Sequence, residues 1–156
     1  MRRRTAQIRQ ALPDPKYNDQ MIGRFIGIIM YEGKKTLAER IVYNALDILK
    51  KKSADDDVVK VFTKAIENIR PRVQVKSRRV GGSTYQIPME VPPLKGNTIA
   101  LRWIRDLSHA KKGKPMEIKI ADELFAAFKG EGQAIKKRDE AHKMAEANQA
   151  FAHLKW

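Results

Sequence analysis

A mainly α-helical fold is predicted, with six helical segments interrupted once, between the third and the fourth, by a β-hairpin. Three observations predict it. Apolar residues recur at spacings of three and four through five separate stretches. The period changes to two over residues 72–91, on either side of Gly81-Gly82. Pro or Gly stands at most of the junctions between these patterns. With 156 residues, 42% of them hydrophobic, the chain is long enough for one core and too short for two. Residues 1–156 are therefore expected to form a single domain, with a basic tail over 1–13, an arm over 72–91 and a terminal helix over 133–156.

Pro13-Asp14-Pro15 breaks the chain, and Asn18 or Asp19 is placed to cap a first helix over about residues 20–31. Its apolar residues run from Met21 to Met30 nearly all the way round, which predicts an interior position. Gly23 and Gly27, four apart, are expected to let a neighbouring helix approach closely. Thr36 and Glu39 have the spacing of a capping box opening a second helix, which Lys50, Lys51 and Lys52 close by complementing its C-terminal carbonyls. Asp55, Asp56 and Asp57 precede a third helix running to Ile69, with Pro71 beyond. Adjacent side chains in a first turn diverge, so the three carboxylates fit a helix N-terminus better than a metal.

In the hairpin, Val73 and Val75 alternate with Gln74 and Lys76, and Tyr85, Ile87, Met89 and Val91 alternate with Gln86 and Glu90. Alternation puts Tyr85 with Ile87 and Met89, which favours packing over base contact. Seven residues per strand give an arm on the order of 20 Å, apolar at its root and basic near its tip. A fourth helix runs from Pro92-Pro93 to Gly113 and a fifth over about 116–129; Trp103 in the fourth is expected to pack in the core or between helices. The sixth segment, 133–154, is rich in Ala, Lys and Glu but has a poor apolar stripe, so it is expected to be partly exposed.

Lys plus Arg number 32 against 18 Asp plus Glu, a formal charge of +14. The excess is segregated: Arg2, Arg3, Arg4 and Arg9 in the tail, and Arg70, Arg72, Lys76, Arg78 and Arg79 in the arm, carry nine of the fourteen net charges with no acid among them. Segregated charge without intramolecular acids, joined to an aromatic-containing hairpin, points to recognition of polyanions. The chain has no Cys, which removes disulfides, thiolate nucleophiles and Cys-based zinc sites and fits a reducing compartment. His109, His142 and His153 lack metal-ligand spacing, His142 reads as an ordinary solvated residue, and Gly130-Glu131-Gly132 lacks the order of a phosphate loop. No catalytic residue, metal or cofactor is expected. The Arg-rich start leads into polar residues and no apolar stretch approaches ~20 residues, so neither export nor a membrane partner is expected.

Three separated motifs carry a family resemblance: Asp19, Met21, Phe25-Ile26, Gly33-Lys34-Lys35, Ile41-Val42 and Ala45; the hairpin from Val75 to Val91; and the segment from Lys136 to Trp156. In that order they resemble small-subunit ribosomal protein seven of the bacterial type, over essentially the whole chain. The resemblance implies a bundle of six helices with the hairpin projecting between helices three and four, in the cytoplasm and in the ribosome. It also implies binding to the 3′ major (head) domain of small-subunit ribosomal RNA early in assembly and a place near the exit-site tRNA and mRNA. The eleventh small-subunit protein is the implied neighbour, and some members repress their own message. By resemblance, Arg2, Arg3, Arg4, Arg9, Lys34, Lys35, Arg72, Lys76, Arg78 and Arg79 contact ribosomal RNA. Arg78, Arg79, Gly81, Gly82, Tyr85, Lys136, Lys137, Arg138 and Lys143 lie toward tRNA and mRNA. The stretch around Lys114 to Lys129, opening Met116-Glu-Ile-Lys-Ile, departs from the family's pattern, so no contacts are carried over there.

Two other classes are weighed against this one. A DNA-bending protein would place an apolar wedge, often Pro, at the arm tip; here the tip is Arg78-Arg79-Val80-Gly81-Gly82, and Pro88 lies near the base. An RNA-modifying enzyme would need a convergent acid, base or cofactor loop.

Overall fold

The computed structural model describes residues 12–53 and 57–154; Asp55 and Asp56 of the expected acidic cap, the four tail arginines and Trp156 lie outside them. Within the described residues the order is α1 (Gln20–Ile29), α2 (Lys35–Ser53), α3 (Val58–Ile69), β1 (Val73–Val80), β2 (Ser83–Glu90), α4 (Pro93–Ala110), α5 (Met116–Phe128) and α6 (Gln133–Ala147), followed by a 3-10 segment, Gln149–Leu154. The fold is thus mainly α, with an antiparallel hairpin between α3 and α4, as expected.

Local chemistry sets most of the boundaries. Asp19 accepts the Ile22 N–H at 2.8 Å and opens α1, and Asp57 accepts the Lys60 N–H at 3.2 Å and opens α3. One face of α3, Val58, Val61, Phe62, Ala65, Ile66 and Ile69, is buried. Each large side chain among them stabilises the fold by roughly 1.5–3 kcal/mol. Phe62 meets Phe25 of α1 with ring centroids 5.7 Å apart. Helix α5 sits at the centre, packed against α2, α3, α4 and α6. A hydrogen bond from Lys52, in the last turn of α2, to Asp122 of α5 joins those two helices and holds the Asp122 carboxyl below its ordinary 3.8.

Several expectations are corrected. Helix α1 is not enclosed: Ile22, Phe25 and Ile26 are buried, but Ile28 and Ile29 are only half-buried and Met30 is exposed. Only one side of α1 meets the core, since α2 and α4 are its helical neighbours. Gly23 does admit a close approach, but to the chain's own residues 12–14: a Cβ there would stand 2.6 Å from the Leu12 carbonyl oxygen. Gly27 faces nothing within 4 Å.

The capping box does not form, because α2 begins at Lys35 and puts Thr36 inside the first turn, while Glu39 pairs with Lys35 at 3.5 Å. The fourth helix stops at Ala110, short of Gly113, with the Lys111 N–H bonded to Leu107 O at 3.3 Å. The last helix breaks at Asn148, whose side-chain amide donates to Met144 O at 2.7 Å and occupies a carbonyl at the helix end. The tighter 3-10 segment beyond packs against β2.

Helix α6 takes its start from α5. The buried Glu123 accepts the Ala134 N–H through Oε1 at 2.8 Å and the Lys111 ammonium through Oε2 at 2.5 Å. A carboxylate from another helix thereby meets a donor that α6's own residues leave unsatisfied. Gly132, at φ +100°, adopts a backbone that a side chain would strain, and a Cβ there would stand 3.0 Å from that of Ala126 and 3.2 Å from Glu123 Oε1.

Candidate nucleic-acid interface

Three pieces of chain present the cations singled out above. The first is the α1–α2 turn, where Glu32 and Gly33 adopt φ of +52° and +72° and the Lys34 N–H bonds to Tyr31 O at 3.0 Å. This reversal leaves Lys34 and Lys35 exposed. Their ammoniums are paired, Lys34 with Glu32 at 2.8 Å and Lys35 with Glu39 at 3.5 Å. Exposed pairs of this kind contribute about 0–1 kcal/mol, so a phosphate competes readily for either lysine.

The hairpin is the second piece. Gly81 and Gly82, at φ +58° and +90°, form the two-residue turn, and pairing runs from Val73 opposite Glu90 to Val80 opposite Ser83. Arg78 lies opposite Tyr85 and Lys76 opposite Ile87, which puts these four on one face. Arg79, opposite Thr84, is on the other face, so the tip is basic on both sides. The Arg79 Nε donates to Gly82 O at 3.3 Å and lays that side chain along the turn. At the root Ile87 is buried, the Val91 N–H bonds to Arg72 O at 2.9 Å, and Arg72 itself is exposed.

Helix α6 is the third. It packs against both strands, which places Lys136 and Lys143, both exposed, on an element adjoining the arm. Seven residues apart, they share one helix face. Lys137 lies over the half-buried Trp103 ring, 5.6 Å from its centroid. Arg138 is engaged within the fold: its Nη1 donates to Asn68 O at 2.5 Å and its Nε to Asp139 at 2.7 Å. Tyr85 packs, with its ring 5.3 Å from that of Phe151.

His142 differs from the expectation of a solvated side chain. Its Nε2 accepts the Arg72 N–H at 3.0 Å and ties α6 to the root of the arm. The partner lies 70 residues away, and no local signal announces it. The same holds for Asn68, whose side-chain amide donates to Ala127 O at 2.9 Å and joins α3 to the end of α5. Among the described residues no group of three His, Asp or Glu is placed to hold a metal ion, and no helix is long and apolar enough to cross a membrane.

Comparison with known proteins bears directly on this arrangement. The sequence model of the family described as Ribosomal protein S7p/S5e matches residues 1–149. The chain belongs to that family. It is 51% identical over 156 residues, all of both chains, to the small ribosomal subunit protein uS7 of Fervidobacterium nodosum. It is 49% identical, again over the whole of both chains, to that of Pseudothermotoga lettingae. With the uS7 of Francisella tularensis subsp. novicida it shares 50% identity over 155 residues, 99% of each chain. Membership in the uS7 family makes the chain a small-subunit ribosomal protein of the bacterial type, structural and not enzymatic. A cytoplasmic, ribosomal location fits that membership.

Proposed function

We propose that the chain binds the 3′ major domain of small-subunit ribosomal RNA through the basic tail, the α1–α2 turn and the arm, and thereby organises the head of the subunit during assembly. The residues assigned to this contact are Arg2, Arg3, Arg4, Arg9, Lys34, Lys35, Arg72, Lys76, Arg78 and Arg79. The arm tip and α6, through Arg78, Arg79, Gly81, Gly82, Lys136, Lys137 and Lys143, lie toward the exit-site tRNA and mRNA, with the eleventh small-subunit protein as a neighbour. Tyr85 and Arg138 act on this side by positioning, one bracing the arm against Phe151 and the other fixing α6 to α3. Repression of its own message is the same binding directed at a transcript that imitates the junction.

One observation carries the reading. Exposed cations on the arm and on α6 stand on two elements packed against each other, so a folded polyanion meets both at once. The test is titration of the full chain with a folded junction fragment of the 3′ major domain across a salt series. Affinity should fall with salt at a slope of roughly 0.7–0.9 per phosphate contact. Replacing Lys76 and Arg79 together by Ala should lower that slope by about 1.5–2 while leaving the melting temperature nearly unchanged. Equal affinity for random duplex DNA at physiological salt would overturn the reading.

A further inference from the structure

A folded polyanion meets the arm and α6 together only if the two elements stand at a fixed angle, because cations aimed in advance bind without the cost of being ordered. At the root of the arm, packing alone does not fix that angle. A cavity of about 340 Å³ lies there, lined by Val73 and Pro88 of the strands, Ala145 of α6 and Ala152 of the 3-10 segment. Side chains that face a gap forfeit the contacts that would hold them at one separation. His142 lines the same cavity, and its Nε2 accepts the Arg72 N–H at 3.0 Å.

This bond fixes geometry more than it adds stability. It holds backbone, so it constrains the path of the strand at Arg72 and not the rotamer of a long side chain. The Arg72 carbonyl accepts the Val91 N–H at 2.9 Å, so both strands of the root are held through one residue. Arg72 is exposed, and water takes over its N–H when the imidazole is removed, so the fold loses little. The buried Ile87 and the contact of Tyr85 with Phe151 remain, which keeps the arm attached while its angle is freed. We infer that His142 is a positioning residue for RNA binding, which sets the arm at the angle to α6 where both present their cations to one folded RNA. The inference rests on the RNA-binding function proposed above and adds to it a residue that carries no contact of its own.

An imidazole that accepts at Nε2 carries its proton on Nδ1. Glutamine places an amide oxygen at about the reach of Nε2, whereas asparagine is one methylene too short. The test titrates the full chain and its His142→Gln and His142→Asn variants with the junction fragment. His142→Asn should weaken binding about fivefold, the effect of one hydrogen bond on the fraction of chains with the arm correctly set. His142→Gln should bind within about twofold of the unsubstituted chain. Both variants should melt close to it. Combined with Lys76→Ala and Arg79→Ala, His142→Asn should lose most of its effect, since an arm without those cations gains little from being aimed. Without any substitution, nitrogen-15 spectra in mildly alkaline solution should show His142 protonated at Nδ1, with a scalar coupling between Nε2 and the Arg72 amide nitrogen. Equal affinities of the Asn and Gln variants, an Asn effect undiminished without Lys76 and Arg79, a loss that follows the melting temperature, or a proton on Nε2 would each overturn the inference. Failure of the unsubstituted chain to bind the fragment would bring down the RNA reading and this inference with it, whereas binding indifferent to position 142 removes only the positioning role.

Discussion

Glu123 joins three helices with one carboxylate, holding Lys111 at the end of α4 and the Ala134 N–H at the start of α6 while itself belonging to α5. Removing one partner of a buried pair leaves the other groups unsatisfied, and Lys111 is 38% exposed, which moderates the loss. Glu123→Ala should therefore destabilise by about 2–3 kcal/mol. Glu123→Gln, which keeps an acceptor for Ala134, should cost about 1 kcal/mol, both read from denaturant midpoints. A second test concerns Tyr43, whose hydroxyl donates to Oδ1 of the buried Asp14 at 2.7 Å. Burial, and then that hydrogen bond, raise the phenol above its ordinary 10.0. The stabilisation is complete below pH 10 and is lost as pH rises through the higher folded value. Tyr43→Phe should thus cost about 1–2 kcal/mol at neutral pH, and the gap between the two proteins should narrow in melts above pH 10. Neither role is visible in the sequence. Lys111 lies 12 residues from Glu123 and Tyr43 lies 29 from Asp14, separations fixed by tertiary packing and not by any local spacing rule.

At the scale of elements much more was legible. The start of α3 at Val58, its stop before Pro71 and the turn at Gly81-Gly82 follow from local rules, since Asp caps, Pro breaks and paired glycines supply positive φ whatever surrounds them. Position 148 was not legible, because the Ala-rich run has helical propensity on both sides of it and the 3-10 segment is selected by the strand it covers. The apolar character all round α1 predicts full burial, yet three positions are enclosed, while Ile28 and Ile29 are half-buried and Met30 is exposed. The contact between Phe151 and Tyr85 makes the terminal segment a brace for the arm. Phe151→Ala should accordingly speed amide exchange in β2, most of all near Tyr85. The melting temperature should hardly move, because no residue of the 3-10 segment is buried.

For the whole molecule the governing quantity is the charge of +14. Self-repulsion opposes the compact state, and salt screens it within a Debye length of about 10 Å at 0.1 M. Raising ionic strength should therefore raise the melting temperature of the isolated chain while weakening its complex with the RNA fragment. Calorimetry of the two samples side by side checks the opposite signs. The sequence alone disclosed this imbalance and its concentration in the tail and arm. It did not disclose that Lys34, Lys35 and Arg138 pair with Glu32, Glu39 and Asp139, since neighbours in sequence pair only where the local backbone and rotamers bring the charges together.

Biosynthesis runs from the amino end, so Glu123 emerges eleven residues ahead of Ala134. The closing helix emerges to find its acceptor waiting. A polypeptide cut between residues 123 and 134 leaves the acceptor on one fragment and the donor on the other, and the closing helix on its own would have to begin its first turn unaided.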